Sequence, residues 1–190
     1  MDYSDYEPKG FKVKPMSTLA IRSIAVSVMP IILELAKVKE VKQINFEDFL
    51  ERVLPLLGIE LDVIPDNSTA DIGEKAPAAM VGSVLKVKDA CYAGMNHGNP
   101  RDIFTLFHEL GHYFLGHTRR YTRDELTKHK AYEDSECQAN AFAGECLMPL
   151  EIIKTKNLKN VVEIHREFGI VSFDAAWVRY KKLQRLGELS

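Results

Sequence analysis

The run His108-Glu109-Leu110-Gly111-His112 constrains this 190-residue chain more than any other five residues in it. Two histidines four positions apart share one face of an α-helix, stacked one turn over the other, so both imidazoles can reach a single cation. The glutamate beside the first histidine can then reach a water on that cation and act as its general base. The flanking residues agree on the helix. Asn99 is a good N-cap, Pro100 suits the first helical position, and Ile103, Phe104, Phe107, Leu110, Phe114 and Leu115 recur at three- and four-residue steps. Gly116 offers a stop, and Gly111 lets another backbone come close between the two histidines.

A structural zinc takes four protein ligands, whereas a catalytic one takes three and keeps a position for water. The third ligand must come from elsewhere in the chain, and the segment from Glu133 to Pro149 is the best source. Ala139, Ala141, Ala143 and Gly144 make it a thin helix that can pack closely. Glu136 and Asn140 share a face there. Glu136 is the expected third ligand, with Asn140 accepting a hydrogen bond from the far nitrogen of a ligand histidine. Glu133 and Asp134 are rivals, although acids are favoured near a helix start for other reasons. His117 is not expected to bind metal: the metzincin spacing needs glycine and histidine where this chain has Leu115 and Thr118. It reads as a surface or helix-capping residue, and His97 and His129 read as solvated.

Arg101-Asp102-Ile103-Phe104-Thr105-Leu106-Phe107 leads into HELGH, and Glu136-Cys137-Gln138-Ala139-Asn140-Ala141-Phe142-Ala143 runs on to Leu147-Met148-Pro149. Together these blocks resemble the ImmA/IrrE family of zinc peptidases, with Phe168-Gly169, Val171-Ser172, Ala175 and Arg179 matching its C-terminal pattern. The resemblance spans about residues 45 to 187. Gln138 stands where the family often has a second acid, and Ile170 adds a residue to the closing turn. The resemblance implies a gluzincin-like site, with His108, His112 and Glu136 on Zn²⁺ and Glu109 as base. It also implies a protein substrate: a helix-turn-helix transcriptional repressor in a bacterial or phage regulatory circuit. An antirepressor that uses the metal for stability and binds its target without cutting it is the alternative. Tyr113, Tyr121, Tyr132, His117 and Arg179 are candidates for steadying the oxyanion.

The expected fold class is α+β, a small antiparallel sheet packed on a helical bundle that carries a zincin-type helix. Helices are expected from the Ser17 cap to about Lys37, kinked and buried around Pro30, and from Phe46 to Leu57, closed by Gly58. Ile59, Leu61 and Val63 read as a strand, and Met80 to Val87 and Ala90 to Met95 as two more. The strand just before the metal helix is a candidate cleft edge for an extended substrate. Residues 1–15 read as loosely ordered, 16–154 as the peptidase domain, 155–190 as a helical pair packed on it, and 118–130 as a mobile loop with a Thr122–Glu125 cap. A net charge of -2 gives no bulk attraction to nucleic acid or membrane. Unpaired Cys91, Cys137 and Cys146 suggest reduced thiols, and with no leader-like start the expected location is cytoplasmic. Residues 161–183 superficially resemble a DNA-reading helix-turn-helix, but His165 and the short turn argue against that reading, and Trp177 and Val178 suggest packing.

Overall fold

The computed structural model describes residues 6–68, 72, 75–117 and 128–189. Its first helix, α1 (Thr18–Leu35), starts at Ser17, whose hydroxyl accepts from the Ala20 N–H. α1 has the length and apolarity of a membrane span. Only one face of it is covered: Ile21, Ala25, Met29 and Ile32 are buried, while Leu19, Val26 and Ile31 face outward. The expected burial therefore holds for one face only, because one stripe is enough to dock the helix on a single neighbour.

A second helical rod runs through α2 (Phe46–Asp48), a wide turn at Phe49–Val53 and α3 (Leu54–Leu56). In that wide turn the Leu54 N–H reaches back five residues to Phe49 O, just ahead of Pro55, which has no N–H to give. Phe49, Leu50, Val53 and Leu54 fill the core from this rod.

Three strands follow: β1 (Glu60–Ile64), β2 (Ala78–Val81) and β3 (Val84–Lys88), in the order β1-β3-β2. β2 and β3 form an antiparallel hairpin turning through Gly82, at a φ of 63°. β1 runs parallel to β3, with Glu60 opposite Val84. The sheet is thus mixed, which corrects the antiparallel expectation; the class, α+β, stands. The hairpin also uses up the strand signal between Met80 and Val87, and Ala90 to Met95 belong to helix α4 (Asp89–Asn96). That segment's apolar positions, Cys91 and Met95, are four apart and both buried, a helical spacing.

Helix α5 (Pro100–Phe114) is capped by Asn99, whose side chain accepts from the Arg101 N–H. Ile103, Leu106, Phe107 and Leu110 on it are fully buried. Helix α6 (Ser135–Leu147) lies against α5, and α1 covers α6 from the other side. Gly111 is where α5 and α6 come closest: a Cβ there would sit 3.1 Å from both Cα and O of Ala139. α7 (Leu150–Thr155), α8 (Val161–Phe168) and α9 (Phe173–Arg185) complete the chain. α9 is fixed to α6 by Arg179, which gives two 2.7 Å hydrogen bonds to the Glu145 carboxylate and one to Met148 O. Trp177 and Val178 point outward rather than packing.

The N-terminal segment is hydrogen-bonded along the start of α6. Lys9 and Gly10 N–H donate to Asp134, Phe11 pairs with Ser135, and Val13 and Met16 N–H reach Glu133 O and Tyr132 O. Residues 9–16 form a strap along the start of α6 rather than a loose segment, and residues 1–5 of the expected loose end lie outside the described residues. The Thr122–Glu125 cap, and residues 118–127 of the expected mobile loop, lie outside the described residues.

Candidate metal centre

α5 and α6 bring His108, His112 and Glu136 to one point. The Nε2 atoms of the two histidines are 3.0 Å apart. Glu136 spans both, with Oε2 at 3.1 Å from His108 Nε2 and Oε1 at 3.4 Å from His112 Nε2. The local reason is simple. Asp134 caps α6 through Glu136 and Cys137 N–H, so Glu136 falls in the first turn, opposite the mid-helix histidines. Gly10 runs close to the stem of the same side chain: a Cβ at residue 10 would lie 2.7 Å from Glu136 Cγ.

Glu109 also approaches the pair, its Oε1 4.0 Å from His108 Nε2. His108, Glu109 and His112 offer ligand atoms within 4.8 Å of one another, so Glu109 is a geometric rival for the third ligand. Glu136 is better placed, because both its oxygens face ring nitrogens. The Oε2 of Glu109 instead accepts the Met80 N–H at 2.7 Å. Glu133 pairs with Lys12, and the Asp134 carboxylate is taken up by four backbone N–H groups and His129, so neither reaches the centre.

Two imidazole nitrogens and a carboxylate, converging with room on the far side, are the donor set of a borderline divalent cation. The far nitrogens are occupied as a metal site requires. His108 Nδ1 meets Asn140 Oδ1 at 3.1 Å, as the sequence suggests, and His112 Nδ1 meets His117 Nδ1 at 3.1 Å. The residues present therefore fit a bound metal ion.

The titration behaviour follows from this crowding. Burial favours a neutral Glu136, but hydrogen bonds from His108 and His112 outweigh it and hold its pKa far below the usual range. Burial disfavours charge on His108, yet Glu136 and the nearby Glu109 leave its pKa raised. Glu109 is raised chiefly by burial, with the two histidines and the Met80 N–H acting against that. A carboxylate with a raised pKa beside a metal centre is suited to take up and return a proton.

Two histidine readings are corrected. His117 is not at the surface: it is 7 % exposed, and burial holds its pKa down. Its N–H reaches His112 O at 2.9 Å because Gly116, at a φ of 70°, ends the helix and turns the chain back. Extrapolating a continued helix past that glycine places His117 on the wrong side. His129 is buried beside Asp134, while His97 is exposed as expected. Among the oxyanion candidates, the Tyr113 hydroxyl donates to Leu57 O, and Arg179 is committed to Glu145. Tyr132 is partly exposed outside the site cleft, and Tyr121 is outside the described residues.

The cleft at the centre holds about 370 Å³ and is walled by Pro77 and Ala78 of the β2 segment and Phe104 and Thr105 of α5. A helix pair with this donor set and an adjacent buried carboxylate is an arrangement suited to metal-assisted peptide hydrolysis. Residues 94–180 match a peptidase family model described as the IrrE N-terminal-like domain. The matched part of the chain runs from α4 into α9 and contains His108, Glu109, His112 and Glu136. No curated protein and no solved structure matches the chain.

Proposed function

We propose that this protein is a zinc-dependent endopeptidase, with His108, His112 and Glu136 as zinc ligands and Glu109 as general base. The observation that carries the reading is the convergence of both Nε2 atoms and both Glu136 oxygens within 3.0–3.4 Å, from two different helices. Zinc, when bound, supplies the Lewis acidity that makes water a nucleophile near neutral pH. The chain's own residues do the rest. Glu109, its Oε2 held by Met80, keeps Oε1 turned toward the ligands, where it accepts a proton from the attacking water. It then returns that proton to the leaving amine, as general base and general acid in turn.

The substrate enters as an extended segment along β2. The Met80 N–H points out of the sheet toward Glu109, and main-chain groups of Ala78, two residues earlier, face the same edge. The resemblance of the two motif blocks supports a helix-turn-helix repressor as the protein cut, and a cytoplasmic setting. The test is hydrolysis of candidate repressors, read as fragments by mass spectrometry, for the wild type, for Glu109→Gln and with a chelator. Hydrolysis by the wild type alone supports the proposal. A Glu109→Gln protein that still silences the repressor would instead favour action by binding.

A further inference from the structure

Behind His112 a chain of hydrogen bonds continues through His117 into side chains that the peptidase reading does not use. His112 Nδ1 faces His117 Nδ1 at 3.1 Å, and His117 Nε2 faces Gln138 Oε1 at 3.0 Å. Gln138 Nε2 in turn donates to Lys14 O at 2.9 Å and Tyr132 O at 2.8 Å. His117 and Gln138 are 7 % and 2 % exposed, so solvent does not easily replace these partners.

The far end of the chain has a fixed polarity. Carbonyl oxygens only accept, so the Gln138 amide must turn its NH₂ toward Lys14 and Tyr132. A flipped amide would set its oxygen against two others. Gln138 Oε1 is then an acceptor, and His117 Nε2 must carry the proton that it receives. A neutral imidazole has one N–H, so His117 Nδ1 is a lone pair. That lone pair faces His112 Nδ1, which must therefore carry a proton; in the neutral ring this leaves His112 Nε2 bare on the side of Glu136 and His108, and only a second proton, on the cationic ring, could be donated to Glu136. Asn140 does not fix the His108 tautomer in the same way, because among the described residues no second partner orients its amide.

We propose that His117 and Gln138 are positioning residues: anchored on the N-terminal strap and the loop before α6, they lock His112 in the single tautomer that can bind metal through Nε2. Glutamine suits this place where a carboxylate would not, since the two carbonyls need a donor. The strap, through Lys14 O, becomes part of the metal site without touching the metal. The proposal rests on His112 being a ligand, but its main test uses metal-free protein and does not depend on peptide hydrolysis.

The experiment is nitrogen-15 NMR of the imidazoles in the metal-free, full-length protein at about pH 8, where imidazoles of ordinary pKa are neutral. The expected result is His112 protonated at Nδ1 and His117 at Nε2. Protonation of His112 at Nε2, or of His117 at Nδ1, overturns the proposal. His117→Phe and Gln138→Met should release the His112 tautomer and weaken Zn²⁺ binding, read by competition with a chromophoric chelator, by about tenfold to a hundredfold. Unchanged affinity and an unchanged His112 signature in both folded variants would also overturn it. The wild-type spectrum decides the matter even if a variant does not fold.

Discussion

The Met80 N–H donates to Glu109 Oε2 at 2.7 Å, so the main chain of an edge strand holds the carboxylate proposed as base. Because the donor is backbone, the brace does not depend on the Met80 side chain, which is buried in the core. Met80→Pro removes the donor at an edge position where proline is tolerated. This N–H lowers the Glu109 pKa, so its loss should move the acidic limb of the kcat/KM profile to higher pH. Met80→Ala should leave the limb in place. Steady-state pH profiles of both variants check this, and an unmoved limb in Met80→Pro would show that the brace is idle.

Metal and protons compete for His108. Its pKa is raised above the ordinary 6.5, and that of Glu136 is lowered below 4.5. A raised histidine stabilises the fold below its unfolded pKa and loses that contribution as pH rises through the folded value. A depressed carboxylate contributes above its unfolded pKa and loses the contribution as pH falls through the folded one. The metal-free protein therefore draws on the His108–Glu136 contact under mildly acid conditions. Zinc must displace the proton, so the rise in Tm on adding zinc should be larger at pH 8 than at pH 6. Thermal melts with and without zinc at the two pH values would contradict this if the increments were equal or reversed.

Gly111→Ala places a methyl 3.1 Å from the Ala139 backbone and 3.3 Å from Phe142 Cβ. Backbone cannot yield as a flexible side chain does, so α5 and α6 must separate. Overpacking of this kind costs about 1–3 kcal/mol, and here it also pulls the histidines from Glu136. Urea denaturation should show the loss of stability and chelator competition a weaker zinc affinity. If both stay at wild-type values, the helix contact is looser than its geometry indicates.

Glu145 holds Arg179 and also accepts from Arg22 at 3.0 Å, joining α6 to α9 and α1. Burial works to raise its pKa, but the two arginines outweigh that and lower it. Its contribution is therefore present above about 4.5 and fades as pH falls through the lower folded value. Glu145→Gln leaves the buried Arg179 without its carboxylate, while Arg22 keeps Glu188, and should cost about 3–5 kcal/mol in chemical denaturation near pH 7. The deficit relative to wild type should shrink as the pH is lowered below 4.5 and through the depressed folded value.

Residues 161–183 form α8 and most of α9, and Arg179 among them is buried on Glu145 between helices. A basic residue on a helix says nothing by itself about which way it faces until its neighbours are known.

Local physics was legible in the chain from the start. Spacing set His108 and His112 on one face of α5, Asn99 and Gly116 gave that helix its ends, and the Glu136–Asn140 step fitted a second helix beside it. These features depend on contacts between residues a few positions apart, so sequence order alone determines them. Three things were settled only by the tertiary structure. β1 paired in parallel with β3; His117 turned inward past Gly116; and residues 9–16 folded over α6 to press Gly10 on Glu136 and to orient Gln138 through Lys14. Each joins segments distant in the chain, and which surfaces meet depends on how the whole core packs. No periodicity in a single segment carries that information.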